Sequence, residues 1–451
     1  MNPPQKPSIA FLTAGAAGMF CGSCMRDNTL AAALMKLGCD VHLIPTYTPI
    51  RTDEENVSID KVFFGGINVF LQEKSAFFRH VPPFLDRWLD QPWLINWLAS
   101  RSMETDARML GALTVSMLKG EHGHQKKEVG RLVRWLARDA RPDLINLSNI
   151  LIAGCVPAMK RELGVPILVT LQGDDLFLDD LTSPFKEQAF AEIRRIAEEV
   201  DGIIVFSQYY AEFMSSYLDI PRAKFHIVPM GLALRDYSRA GTGHATRATN
   251  SDPVVGYMAR VCPAKGLHLL IEAFLKLRRM PGTDRARLRA AGWLGGGDHE
   301  YLESQRQILK NAGLKEGDDG DFHYRGVLDR HQKLEFYQAI DVLSVPTTYH
   351  EPKGIFVLES LASGVPVVQP EHGAFPELIK GTGGGKLFRP NDATHLAEML
   401  HHLLTNHDER RTLGSAGRES VFQSYSDQAM AERTLDLYRR FLGPQGNPIA
   451  S

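Results

Sequence analysis

Apolar residues in this chain come in short blocks that alternate with stretches of helical periodicity. The first block, SIAFLTA, is continuous rather than alternating, which suits a strand buried on both faces of a sheet. A Gly-rich loop follows (Gly15, Gly18, Gly22), then a helical pattern from near Arg26 to Leu37, then Gly38 and a second strand, DVHLIPTY. This β-loop-α-β opening predicts a parallel sheet. DLINLS, PILVTLQ and GIIVFS read as further short strands, and KFHIVPMGLALRDY closes the first half. From about Val69 to Arg138 the pattern is mostly helical and unusually aromatic.

SRAGTGHATRATNSDP is small, polar and Gly-rich, the composition of a linker. A second alternating series follows. PVVGYMAR, RLRAAG, FHYRG, DVLSVPT and PVVQP read as strands with amphipathic helices between them, and helices are expected to dominate from there to the end. Ser426 can cap the last one, DQAMAERTLDLYRRFL. The expected organisation is a first α/β domain over 1–235, a linker over 236–252 and a second α/β domain over 253–425. A C-terminal helix over 426–443 is expected to cross back to the first domain. Two doubly wound halves joined in this way predict a ligand cleft, with ligands at the carboxyl ends of the strands.

Composition excludes more than it selects. The 451 residues carry 51 basic and 53 acidic side chains and no basic run, so no nucleic-acid partner is expected. Five cysteines do not make a disulfide framework in a chain this long, which points to a reducing, cytoplasmic setting. No run of 18 apolar residues could span a membrane. The N-terminal Lys6 and its apolar run read as a buried strand rather than a signal peptide.

Candidate chemistry concentrates in YHEPKGIFVLESLASGVPVV. Gly354 opens a helix whose first N–H groups and positive dipole end favour an anion, while Gly364 and Pro366 end it. Glu351 precedes the helix, and Glu359 lies roughly 7 Å along it at 1.5 Å per residue. Side chains lean toward a helix N-terminus, so Glu359 can reach a polar group beside the anion and Glu351 a group on the other side. Hydroxyls at both ends with phosphate between them describe a nucleotide sugar, and carboxylates accept well from vicinal hydroxyls. The alternative is a solvated loop residue and a solvated helix face. In ARVCPAKG, Arg260 and Lys265 share one strand-to-helix loop, which suits a diphosphate leaving group.

Taken in order, ARVCPAKG, AAGWLGGGDHEYL, FHYRGVLDRHQKLEFYQAIDVLSVPTTYHEPKGIFVLESLASGVPVVQPEHGAFPELI and GGGKLFRPND strongly resemble the retaining glycosyltransferases of family 4. The likeness is most specific from about Asp252 to Phe441 and looser in the first half. It implies a GT-B fold of two Rossmann-like domains, and a metal-independent, retaining transfer of a hexosyl group to a hydroxyl acceptor. The donor would be a nucleotide-diphosphate sugar, with no other cofactor. Residue by residue, it implies Glu351 on the donor hexose, Glu359 on the ribose, and Arg260 and Lys265 on the diphosphate. Backbone amides around Gly354 and Ile355 would meet phosphate and sugar. Val327 would lie against the base, and Gly15 with the following loop would close over the donor.

The chain also departs from the family. Gln172 in VTLQGDD stands where relatives carry His, with Asp174 and Asp175 beside it; Gln172 and Asp174 are the acceptor-side candidates. Glutamine can bind a sugar hydroxyl but cannot act as a base. A retaining front-side mechanism tolerates this, because the leaving phosphate can take the acceptor proton. The rival readings are a sugar-nucleotide-binding protein without transferase activity and a redox or metal protein acting through the lone CxxC of Cys21 and Cys24. Asp319 and Asp321 in DDGDF read as a solvated turn rather than a metal-binding DxD. Trp88, Trp93 and Trp97 precede the basic stretch from Lys126 to Arg141. Together they raise peripheral contact with the inner face of a membrane and a lipid-linked acceptor, against the plainer reading of core aromatics and a solvated face.

Overall fold

A computed structural model gives the structure of residues 6–15, 22–64, 107–239 and 252–443. By its contacts the chain divides into two units, Met1–Pro229 together with Asp427–Ser451, and Met230–Ser426. Of the stretch read as a linker, 240–251 lies outside the described residues. The short helix Arg235–Arg239 is counted with the second unit.

The first unit holds one six-stranded sheet: β1 (Ser8–Thr13), β2 (Asp40–Pro45), β3 (Leu144–Leu147), β4 (Ile167–Thr170), β5 (Gly202–Val205) and β6 (Phe225–Ile227). Their spatial order is β2-β1-β3-β4-β5-β6, and every pairing is parallel. β1 shows why its sequence block is continuous. Ala10 and Leu12 join the apolar cluster on one face, and Ile9 and Phe11 the cluster on the other. That second cluster is completed from the far end of the chain. The helix Asp427–Leu442 supplies Met430, Ala431, Leu435, Leu437, Tyr438 and Leu442 to it, packed on the helix Gly22–Lys36.

The second unit holds β7 (Val254–Met258), β8 (Arg287–Ala291), β9 (Phe322–Tyr324), β10 (Val342–Leu343), β11 (Val367–Pro370) and β12 (Gly385–Phe388). They lie in the order β12-β11-β10-β7-β8-β9, again all parallel. Counted within this unit, the order is that of a doubly wound dinucleotide-type sheet. It reverses between β7 and β10, and in sheets of this type ligands bind at the carboxyl ends of the strands beside such a reversal.

Two elements differ from the sequence pattern. The strand expected over DVLSVPT is in the sheet only at Val342–Leu343, although Ser344 still donates to Gly256 O at 2.9 Å. After PVVQP helices dominate as expected, and β12 is the one described strand among them, which the pattern does not mark. It is a partly exposed edge strand inside GGGKLFRPND, where glycine and charge hide the apolar pattern.

Candidate active site

Glu351 follows β10 and Lys265 follows β7, so neighbouring strands deliver them to the reversal point of the second sheet. The loops are sewn together. Thr348 N–H donates to Ala264 O at 3.0 Å, and Gly266 (φ +74°) sits so close to Pro346 that a Cβ would lie 1.8 Å from its carbonyl oxygen. Gly266→Ala is therefore expected to cost more than about 1 kcal/mol, through a strained left-handed residue and a displaced loop. Urea unfolding checks this, and an unchanged midpoint would contradict the close approach.

The Glu351 carboxylate is 2% exposed for the whole residue and accepts four hydrogen bonds. Oε2 takes Lys265 Nζ at 2.6 Å and the Tyr349 hydroxyl at 2.5 Å. Oε1 takes the backbone N–H of Lys353 and of Gly354, each at 3.2 Å. Burial alone would raise its pKa. The Lys265 charge and the hydrogen bonds from Lys265, Tyr349 and Gly354 more than offset this, and the carboxyl is held at about 2. Lys265 also contacts the Tyr349 hydroxyl and lies 5.6 Å from the centroid of the Phe356 ring.

The helix Ile355–Ala362 starts at Gly354, whose φ of +64° and close approach to Leu378 explain the glycine. Its end is a Schellman motif with Gly364 in the left-handed position. Gly364 N–H returns to Leu361 O and Val365 N–H to Ser360 O, at 2.8 and 3.0 Å. Because Gly354 N–H is spent on Glu351, the amides left at the mouth of the helix are those of Ile355 and Phe356, too early for an intrahelical acceptor. Glu359 is buried one turn further in. Its Oε1 accepts from Lys333 Nζ at 3.0 Å and its Oε2 from the Tyr337 hydroxyl at 2.9 Å.

Arg260 has partners of its own. Its guanidinium is half-exposed, pairs with Asp298 at 3.1 Å and lies 5.2 Å from the Trp293 ring centroid. Val327 is exposed at the end of the β9 loop, next to Gly326, whose carbonyl accepts from Gly292 N–H at 2.8 Å. Asp321 ties a turn rather than presenting a carboxylate pair, accepting from Lys315 N–H at 2.9 Å and pairing with Arg278.

Two family models cover most of the chain. Residues 244–420 match the glycosyl transferases group 1 model, and residues 28–231 match the glycosyl transferase 4-like domain. The chain belongs to the group 1 glycosyltransferases. Among curated relatives, alpha-maltose-1-phosphate synthase of Mycolicibacterium smegmatis is 34% identical over 260 residues, 55% of this chain and 65% of that protein. A GDP-mannose-dependent monoacylated alpha-(1-6)-phosphatidylinositol monomannoside mannosyltransferase of Corynebacterium glutamicum is 27% identical over 258 residues, 54% of this chain and 64% of that one. Both matches thus span just under two thirds of the relative's length. Sucrose-phosphate synthase from Thermosynechococcus elongatus superposes with a TM-score of 0.66 at 20% identity, over 97% of this chain and 99% of that one. The fold is GT-B.

In the first unit of this group 1 glycosyltransferase, the acceptor-side candidates are engaged in the protein itself. Gln172 Nε2 donates to Asp27 Oδ1 and to Ser148 O, each at 3.0 Å, while its Oε1 is buried without a partner. Asp174 accepts from Gln172 N–H at 2.7 Å and Ile150 N–H at 2.9 Å. Burial pushes its carboxyl up to about 6 against these two bonds. Gly15 follows β1 and lies against Thr48, where a Cβ would meet the carbonyl oxygen at 2.1 Å. Cys24 is buried near Thr13, whereas Cys21 and the tryptophans at 88, 93 and 97 lie outside the described residues. Among the described residues no group of His, Cys, Asp and Glu could hold a metal ion, and no helix is long and apolar enough to cross a membrane.

Sequence reasoning missed Tyr349, Lys333, Tyr337 and Asp27. Tyr349 stands two residues before Glu351, and Lys333 and Tyr337 are one turn apart on a helix, so both signals were present as spacing. Asp27 was hidden in a helical stretch, MRDN, that gives no sign of complete burial.

Proposed function

We propose that the protein is a retaining, metal-independent glycosyltransferase that moves a hexosyl group from a nucleoside-diphosphate sugar to a hydroxyl acceptor. The observation that carries this is the buried Lys265–Glu351 pair at the strand-order reversal, beside the start of the helix Ile355–Ala362. Diphosphate would sit against the Ile355 and Phe356 amides and Lys265, with Arg260 as the second cation. The acceptor oxygen would bond to the anomeric carbon as the bond to phosphate breaks. The acceptor's proton would pass to the leaving phosphate oxygen on the same face, so that no protein base is needed and Gln172 is no obstacle. Positive charge that stabilises the departing diphosphate would come from the two side chains and the helix end.

Glu351 has no acceptor position to spare while Lys265 holds it. Engagement of a hexose hydroxyl would therefore follow transfer of Lys265 from the carboxylate to phosphate. A dependence on GDP-mannose in the Corynebacterium relative's name supports a nucleotide sugar as the donor class.

The test is a thermal-shift panel with UDP, GDP, ADP, TDP and their common sugars, followed by release of nucleoside diphosphate from the best binder. Binding at a hundred times the dissociation constant should add ~2.7 kcal/mol of stability. No shift with any nucleotide would sink the donor site. Binding without release in the presence of acceptor pools would leave a sugar-nucleotide-binding protein, the reading favoured by Gln172 being tied to Asp27 and Ser148.

A further inference from the structure

The two glutamates differ in what they have left to offer. A carboxylate has about four acceptor positions. Those of Glu351 are filled by four protein donors, whereas among the described residues Glu359 receives one donor on each oxygen, which leaves the second position of each. A buried charged acceptor with one open position on each oxygen matches two adjacent hydroxyls, each donating to one oxygen.

Resting on the donor reading above, we infer that Lys333 and Tyr337 are positioning residues that make Glu359 a two-point acceptor for a vicinal diol. The site thereby selects ribonucleoside over 2′-deoxyribonucleoside diphosphates. Lys333 and Tyr337 lie four residues apart on the helix Arg330–Gln338, so they face Glu359 from one side and clamp both of its oxygens. Tyr337 is fully buried and Lys333 nearly so, its side chain being 14% exposed. The helix that carries them is itself anchored. Asp329 and Gln332 form a capping box, and Arg330 bonds Asp236 at 2.5 Å and Ala233 O at 2.9 Å. With both oxygens pinned, the carboxylate plane cannot rotate to accommodate a ligand that offers one hydroxyl. A 2′-deoxyribose would leave one acceptor position desolvated and empty.

The experiment is calorimetric titration of the wild type with UDP, GDP and ADP, then with the 2′-deoxy counterpart of whichever binds best. The wild type should prefer the ribonucleotide by about tenfold or more. Lys333→Gln and Tyr337→Phe should each weaken ribonucleotide binding by about tenfold and deoxynucleotide binding by less than about threefold, so the preference collapses. Lys333→Arg should restore it in part. Equal losses for both nucleotides, or a lowered melting temperature with the preference intact, would give Lys333 a purely structural role and overturn the inference. If the wild type binds no nucleoside diphosphate, the donor reading falls first. If it binds without preferring ribose, the inference alone falls.

Discussion

Lys265→Ala is expected to lower turnover by about 10²–10³-fold, the usual cost of removing one preorganised donor from developing negative charge. The expectation rests on where Lys265 stands: 2.6 Å from a buried carboxylate, on the loop that leaves the strand beside the one carrying Glu351. The same variant strands that carboxylate. Breaking a buried pair by removing one partner typically costs about 3–5 kcal/mol. Here Tyr349 and two backbone amides remain on Glu351, so the lower end of that range is expected. Release of nucleoside diphosphate from a saturating donor sugar, at a temperature where the variant is folded, separates the two effects. Turnover within about threefold of wild type would remove Lys265 from the reaction.

Glu351→Gln should have a comparable effect on activity and a pH signature of its own. Glutamine keeps an oxygen for the Lys353 and Gly354 amides but turns an N–H₂ group toward the Lys265 ammonium and the Tyr349 hydroxyl. The Glu351 carboxyl is held at about 2 in the fold, below its ordinary 4.5, so its charge stabilises the fold fully above the higher value. That stability is lost as pH falls toward the lower one. The shift corresponds to about 3 kcal/mol at neutral pH. The stability gap between wild type and variant should therefore narrow by about 2 kcal/mol between pH 7 and pH 3. Urea unfolding at the two pH values measures it. A gap of constant size would mean that the carboxylate is not held low by its neighbours.

Much of this was legible in the sequence because backbone requirements leave marks. Gly354 before an apolar run, with Gly364 and Pro366 after it, announces one buried helix and its free N-terminus. Glu351 and Glu359 are the acids on either side of that start. Alternating strand and helix blocks announced two parallel sheets. What stayed hidden has physical causes. β12 is an edge strand with one face partly in water, so no apolar block marks it. Lys333 and Tyr337 stand one turn apart, and Tyr349 two residues before Glu351, but that spacing does not name the partners they meet 26, 22 and 84 residues away. Asp174 is tied through one main-chain amide on each oxygen, as short acidic side chains at loop ends often are, and its sequence neighbours do not announce that burial.

The order in which the chain is made now matters for the first unit. Its sheet is finished by Pro229, but the cluster containing Ile9, Phe11, Leu30 and Leu34 is closed by the helix Asp427–Leu442. Between those points the ribosome must add the whole of Met230–Ser426, which takes roughly 10–40 s at about 5–20 residues per second. Throughout that interval one face of the first sheet and its helix Gly22–Lys36 lack their apolar cover. The second unit has every strand and helix it needs as soon as its last residue emerges. The half of the protein that is synthesised first is thus the half that matures last, and in the meantime it presents a surface suited to chaperone capture.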